Sequence, residues 1–417
     1  MSEAPPPLLF RGARVVCPAS GLDQPSDLLV VDRMIAGVGP GLAAPAGART
    51  IDAQGLVLAP AIIDVGVFAA DRVACAAGGI ATVLLMPDQS PPLDEPALVE
   101  RAERLGKPQL WVRPLAAATR SLNGRELGEL ALLSAAGAIA VATGRQQLAD
   151  SAVMLRMLRY AAGLGLIVVT HAEDAALVQG AVATEGDVAT RLGLPAAPAM
   201  AEAVALARDL RLAREAGARL HIACVTTADG VALLREAKAA GVDVTAATTP
   251  AHALLNDQAM MGYRSFARLS PPLRAESDRL AVVEGLADGT IDMLTSRHDP
   301  RTAEDKRQPF AEAAPGAADA SLLLPLGLLL VHGGALSLSR LLALLSATPA
   351  ARFGLPGGRL AAGAPADLLL FDSGAPWRVA ADGLPGLGRN TPFDRLAVQG
   401  RVRLLVKGGA LIGGAGA

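Results

Sequence analysis

Short apolar runs alternate with longer helical stretches through the middle of the chain. The runs are rich in Val, Ile and Leu, and the stretches between them repeat Ala and Leu among Arg and Glu. Strands separated by helices pair in parallel through right-handed crossovers. Eight such units predict a (β/α)8 TIM-type barrel, with its chemistry at the carboxyl ends of the strands. The predicted strands cover 62–68, 80–87, 110–115, 138–143, 166–173, 219–225, 242–248 and 291–296.

Both ends of the chain carry a different pattern. Short β-branched runs alternate with polar turns over the first 55 residues, and similar runs return in ADLLLFD and GRVRLLVKGGALI. This pattern is typical of antiparallel strands. We therefore expect one discontinuous β-sandwich domain from residues 1–55 plus 346–417, beside an α/β barrel domain over 56–345.

Composition excludes several classes of protein. The 38 Lys and Arg residues nearly balance the 40 Asp and Glu residues, so no basic field would attract nucleic acid. The three cysteines, Cys17, Cys75 and Cys224, are too scattered for a disulfide framework or a cysteine-based zinc module. No apolar run reaches the ~20 residues of a membrane span. We expect a cytoplasmic bacterial protein with neither nucleic acid nor membrane as a partner.

Several segments resemble a known family. LAPAIIDVGVF, TVLLMPDQSP, VVTHAED, RLHIACVTT and VTAATTPAHALLND are similar to successive segments of dihydroorotases, and the likeness spans nearly the whole chain. Dihydroorotases belong to the amidohydrolase superfamily and close N-carbamoyl-aspartate to dihydroorotate at a zinc site. The resemblance therefore implies the same barrel that the hydrophobic pattern predicts.

The family's metal ligands are mostly absent. Gly66 and Phe68 stand where the family has two strand histidines, and Cys224 replaces the histidine of the sixth strand. The eighth-strand aspartate, a metal ligand and general base in the family, matches Arg297. The fourth-strand stretch IAVATGRQQ offers neither lysine nor acid, so of these positions only His171 keeps the family residue.

The family's substrate contacts are replaced as well. By the resemblance, they fall at four positions, which are Ala70, Asp88, Ser270 and Arg301. A catalytic zinc needs about three protein ligands, and a fixed cation at Arg297 would repel it. We therefore expect a pseudoenzyme, with no catalytic residue, no substrate site, no metal and no cofactor.

The resemblance also suggests a role. In some bacteria, inactive dihydroorotase homologues associate with aspartate carbamoyltransferase and are needed for its assembly and activity. We expect this chain to be such a structural subunit in de novo pyrimidine (UMP) synthesis. It would bind the catalytic chain of that transferase as a homo-oligomer within a hetero-oligomer. The loop 298–316 and the barrel helices are the candidate contact surfaces.

Two alternatives stay open. Asp64, His171 and Cys224 would form a minimal single-zinc site in an active dihydroorotase or other cyclic amide hydrolase, because thiolate is a good zinc ligand. Alternatively, Arg297 and Arg301 would hold an anion in a regulatory pocket. In either case a buried Arg297 needs compensation, and we expect it to pair with Asp88, Glu173 or Asp299.

Overall fold

The amino-terminal strands form one edge of a mixed sheet. The structure, a computed structural model, describes residues 5–412, so the outermost residues of both predicted terminal segments and the glycine-rich end lie outside the described part. Strand β1 alternates polar and apolar side chains at its centre and buries both ends. The strands are β1 (Leu8–Cys17), β2 (Leu22–Val31), β3 (Met34–Gly39), β4 (Arg49–Asp52) and β5 (Val57–Pro60).

The middle of the chain builds the barrel. Eight parallel strands follow one another in the order β6-β7-β8-β9-β10-β13-β14-β15, while β11 and β12 form a separate two-stranded ladder. Their bounds are β6 (Ile62–Val67), β7 (Ile80–Leu85), β8 (Trp111–Ala117), β9 (Ala140–Ala142), β10 (Ile167–Thr170), β11 (Ala183–Thr184), β12 (Ala196–Ala197), β13 (Arg219–Ile222), β14 (Val244–Thr248) and β15 (Met293–Leu294).

Helices cover the outside of these strands. Several begin at a side-chain cap, as α4 does where Asp150 accepts hydrogen bonds from the Ala152 and Val153 amides. The helices are α1 (Arg72–Gly78), α2 (Pro96–Arg104), α3 (Leu130–Ala135), α4 (Ser151–Gly163), α5 (Asp187–Leu192), α6 (Met200–Ala216), α7 (Ala228–Ala239), α8 (Pro250–Leu254), α9 (Glu276–Asp288), α10 (Ala303–Arg307), α11 (Leu323–His332), α12 (Leu338–Leu342) and α13 (Thr348–Phe353). None of the helices in residues 5–412 is long and apolar enough to cross a membrane.

The carboxyl-terminal strands return to the first sheet. They are β16 (Leu368–Arg378), β17 (Ala397–Lys407) and β18 (Ala410–Leu411). The order β18-β17-β16-β5-β1-β2-β3, with β4 beside β1, joins strands from both ends of the chain in one sheet. The division into the ranges 1–55 plus 346–417 and 56–345 stays a prediction.

Alternation along the barrel strands separates two apolar layers. In β7, Val83 and Leu85 belong to the core between strands and helices, whereas Leu84 packs inside the barrel. Side chains of successive strand residues point to opposite faces, so this arrangement follows from the period of two. Because the interior is filled by side chains, the place left for chemistry is the mouth at the carboxyl ends of the strands.

Candidate functional site

The barrel mouth holds a small cavity. It has a volume of about 40 Å³, and its lining includes Phe68, Arg145, His252, Ser270, Arg297 and Asp299. Arginine and phenylalanine side chains thus occupy the place where the resemblance implies a metal.

The end of the first barrel strand carries no metal donor. Gly66 has a φ of +77°, and the pairing of β6 with β7 shifts register between Val65 and Val67. That backbone conformation suits glycine and strains other residues. Phe68 turns into the mouth, where the guanidinium carbon of Arg145 lies 3.7 Å from the centroid of its ring. The ring therefore serves as a platform for a cation.

A three-residue ion cluster fastens the loop over the mouth. The Arg145 Nη2 atom donates to Asp299 Oδ1 at 3.0 Å, and its Nη1 atom also contacts the carboxylate. Arg301 Nη2 donates to Asp299 Oδ2 at 2.7 Å, and Arg301 Nε donates to the Pro315 carbonyl at 2.8 Å. Asp299 therefore forms ion pairs with Arg145 and Arg301, and the expected ion pair between Asp299 and Arg297 does not form.

His171 belongs to a buried network behind the mouth. Its Nε2 atom donates to Glu173 at 3.0 Å, and Arg274 donates to the same carboxylate at 2.7 Å. Burial raises the pKa of Glu173, but the hydrogen bond from His171 and the charge of Arg274 outweigh it and lower that pKa to about 2. Glu173, which was also expected to pair with Arg297, therefore pairs with Arg274 instead.

Cys224 and His252 face each other across a short gap. The Cys224 Sγ atom lies 3.9 Å from His252 Nδ1, and His252 Nε2 donates to the Pro271 carbonyl at 3.2 Å. Burial raises the pKa of Cys224 to about 12, so the residue is a neutral thiol at neutral pH. Burial lowers the pKa of His252 to about 4, so this ring is neutral as well.

Asp64 is turned away from the barrel interior. Ile63 and Val65, its neighbours along β6, pack inside the barrel, so the Asp64 side chain points to the other face. Its carboxylate accepts hydrogen bonds from the Ser296 amide at 2.9 Å and from the Ser296 hydroxyl at 2.5 Å. This contact joins the first and last barrel strands, which gives Asp64 a structural task.

The residues present do not fit a zinc ion. Within residues 5–412, no group of three or more His, Cys, Asp or Glu side chains lies close enough to hold a metal. The structure does not bring Asp64, His171 and Cys224 together, because each already has a different partner. Zinc sites need about three such donors around one point, and the mouth does not provide them.

Arg297 lines the mouth cavity. Its side chain is buried, its φ is +46°, and its guanidinium carbon lies 5.3 Å from the centroid of the Phe68 ring. The guanidinium makes neither an ion pair nor a hydrogen bond with any residue in the described range, and its Nη1 atom is buried without a partner.

The remaining substrate positions of the family lie around the rim. Asp88 accepts a hydrogen bond from the Arg145 amide at 2.9 Å, and burial raises the pKa of its carboxyl group. Ser270 is exposed beside the cavity, and Ala70 is half-buried with no polar group to offer. The rim therefore presents no cation at the Ala70 position and an acid at the Asp88 position.

Sequence reasoning overlooked the residues that organise this site. Arg145 stood in a stretch noted only for lacking an acid, although a cation directly after a predicted strand was the available signal. The role of His298 was not predicted either, and its Nε2 atom lies 3.4 Å from the Asp71 carboxylate. Its Nδ1 atom accepts from the Ala320 amide, so the ring is held from both sides.

Comparison with known proteins places the chain in a family. A family model described as "Dihydro-orotase-like" matches residues 57–230. The dihydroorotase of Citrifermentans bemidjiense is 38% identical over 416 residues, covering 96% of this chain and 98% of that protein. The chain belongs to the dihydroorotase family. A "Dihydroorotase-like protein" of Pseudomonas aeruginosa is 39% identical over 421 residues, covering 96% of this chain and 98% of its own.

Solved structures agree with the fold of this dihydroorotase-family chain. The L-hydantoinase of Arthrobacter aurescens superposes with a TM-score of 0.88 at 26% identity, covering 98% of this chain and 96% of that one. The dihydropyrimidinase of Brevibacillus agri superposes with a TM-score of 0.83 at 22% identity, covering 97% and 95%. The predicted TIM-type barrel with a separate sheet domain is confirmed.

Two expectations are wrong in the light of these relatives. The chain was expected not to be an enzyme, but relatives at 36–38% identity over the full chain are named dihydroorotase, which points to a hydrolase. It was also expected to need no cofactor, whereas dihydroorotases and hydantoinases are zinc-dependent amidohydrolases. The loss of family side chains at these positions does not by itself show that the whole protein lacks activity or a cofactor.

Proposed function

We propose that this dihydroorotase-family chain acts in pyrimidine synthesis as a structural partner of aspartate carbamoyltransferase. It would bind the catalytic chain of the transferase and support its assembly and activity, as a homo-oligomer within the larger complex. The observation that supports this proposal most is the contrast between scaffold and mouth. The fold matches an L-hydantoinase with a TM-score of 0.88, while Phe68, Arg145 and Arg297 line the mouth where the family holds its metal.

A scaffold of this kind still presents a large ordered surface. The loop 298–316 is fixed by Asp299 and by Lys306, whose ammonium donates to the Ser265 and Arg268 carbonyls at 3.1 Å each. A preformed loop loses little conformational entropy on binding, which favours its use as a contact surface. We include this loop and the barrel helices in the proposed interface, and propose a cytoplasmic location.

A second candidate function is cyclic amide hydrolysis. It is favoured by the relatives named dihydroorotase, and it does not exclude a structural role. In this chain such an activity would have to use groups other than Gly66, Phe68 and Arg297, since none of these side chains can ligate a metal or act as the base.

Reconstitution with the transferase tests the leading proposal. The catalytic chain of aspartate carbamoyltransferase from the same organism is purified with and without this protein, and its mass is measured by light scattering after gel filtration. We expect a mixed complex of larger mass and a higher transferase activity. A transferase that reaches its full mass and activity alone would overturn the proposal.

The same preparations test the second candidate. Dihydroorotate hydrolysis is measured with zinc supplied, for the natural protein and for His171→Ala. Turnover that is abolished in the variant supports a hydrolase centred on His171. Turnover that is unchanged in the variant places the activity elsewhere or in a contaminant.

A further inference from the structure

Arg297 is a buried cation without a counter-charge. Only 9% of the residue is exposed, and the guanidinium has no hydrogen-bond or ion-pair partner among residues 5–412. A buried charge that lacks a partner costs several kcal/mol. The folded protein tolerates that cost here, and none of the neighbouring acids lies within ion-pair distance of the guanidinium, although Asp88 and Asp319 each keep a buried carboxylate oxygen without a hydrogen-bond partner.

The acids nearest the mouth do not form an ion pair with Arg297. Asp299 is shared between Arg145 and Arg301, and Glu173 is held by Arg274 and His171. Asp88 accepts the Arg145 amide on Oδ1 and has a buried, unpartnered Oδ2, and Asp319 in the cavity wall has an unpartnered Oδ1, yet neither carboxylate lies within 4.0 Å of the guanidinium nitrogens. Within residues 5–412, the electron-rich group that the guanidinium contacts is the Phe68 ring.

The cavity beside Arg297 is of ligand size. Its volume of about 40 Å³ is room for a few water molecules, since one needs roughly 10–15 Å³. Its wall also includes the neutral His252 and the exposed Ser270, a hydroxyl donor. A planar guanidinium binds carboxylates and similar oxyanions in a bidentate manner.

We propose that the barrel mouth binds a small oxyanion of the carboxylate class on the Arg297 guanidinium. The site is the charge-inverted counterpart of a metal site, because an arginine stands where the family has a carboxylate ligand. Its volume admits formate, bicarbonate or acetate and excludes nucleotides. The proposal does not rest on the partnership with aspartate carbamoyltransferase, and either one holds or fails without the other.

Thermal unfolding at constant ionic strength tests the site. Sodium formate, bicarbonate, acetate or chloride replaces an equal concentration of sodium fluoride, and the melting temperature is followed to saturation. The natural protein is expected to gain on the order of 3 °C with formate, and less with chloride. Arg297→Met is expected to show no saturable gain, while Arg307→Met, which removes an exposed arginine of the same loop, keeps the full gain.

A second readout separates binding from folding. Because Arg297→Met removes an unpaired buried charge, we expect its melting temperature without added anion to equal or exceed that of the natural protein. Formate binding to the natural protein is also measured by calorimetry, which needs no variant. The proposal is overturned if the natural protein shows no saturable formate binding, or if Arg297→Met keeps the same gain.

Discussion

The buried charges around His171 are balanced at the level of single residues. Glu173 and Arg274 are both buried and lie 2.7 Å apart, and His171 occupies the other carboxylate oxygen. The sequence alone showed that Gly66 and Phe68 lack metal donors, because the residue type at a position determines whether its side chain can ligate a metal. It could not show which ions pair, because Arg145 and Asp299 meet across 154 positions of the chain.

Glu173→Gln tests the buried pair. Loss of the carboxylate removes the nearer counter-charge of Arg274 and leaves it only Glu202, at 3.9 Å, so we expect the free energy of unfolding to fall by about 3 kcal/mol. The measurement is urea denaturation near neutral pH. Glu100→Gln is the control, because its partner Arg104 is 64% exposed on that surface and such pairs contribute about 0–1 kcal/mol. Equal effects of the two substitutions would contradict the ion network around Glu173.

Asp319→Asn tests a buried acid beside the mouth. Burial raises the pKa of Asp319 to about 7, above its ordinary value near 3.8. The folded protein therefore favours the protonated form, and stability is lost as the pH rises through 7. Asparagine stays neutral, so we expect the variant's stability relative to the natural protein to grow by roughly 2–3 kcal/mol between pH 5 and pH 8. Urea denaturation across that range measures the difference, and Asp382→Asn, at an exposed acid, should show none.

Elements around the mouth were predicted more accurately than its contacts. Each of the eight strands expected from the hydrophobic pattern forms, within about three residues of the expected ends, because apolar runs flanked by turns fix a buried strand. The register shift at Gly66 and the short helix α10 inside the loop 298–316 were not predicted. The register shift depends on pairing with a strand that lies elsewhere in the sequence. Helix α10 depends on a capping box that spans only a few residues.

Asp299→Asn tests how the loop 298–316 is held. The substitution removes the charge that binds Arg145 and Arg301, so we expect amide hydrogen exchange across 298–316 to speed up about tenfold or more. Asp305→Asn is the control, because Asp305 caps only the start of α10 through Thr302. Its effect should stay within 302–307. Unchanged exchange in Asp299→Asn would show that other contacts hold the loop.

At the scale of the whole molecule, the fold is that of the hydantoinases, whereas the mouth lacks most of the metal donors of the family. The backbone matches hydantoinases over nearly its full length, and the sequence belongs with dihydroorotases. The mouth nevertheless carries an unpaired cation at Arg297 above an aromatic ring. Fold alone does not determine function, so the site decides what this chain can bind.

Anomalous diffraction from one crystal tests the unpaired cation in the mouth most directly. The crystal is soaked in sodium bromide with zinc present, and data are collected at the bromine and zinc absorption edges. We predict a bromide peak beside the Arg297 guanidinium within the mouth cavity. A zinc peak ligated by His171 and Cys224, with Arg297 turned out of the mouth and no bromide beside it, would contradict that prediction.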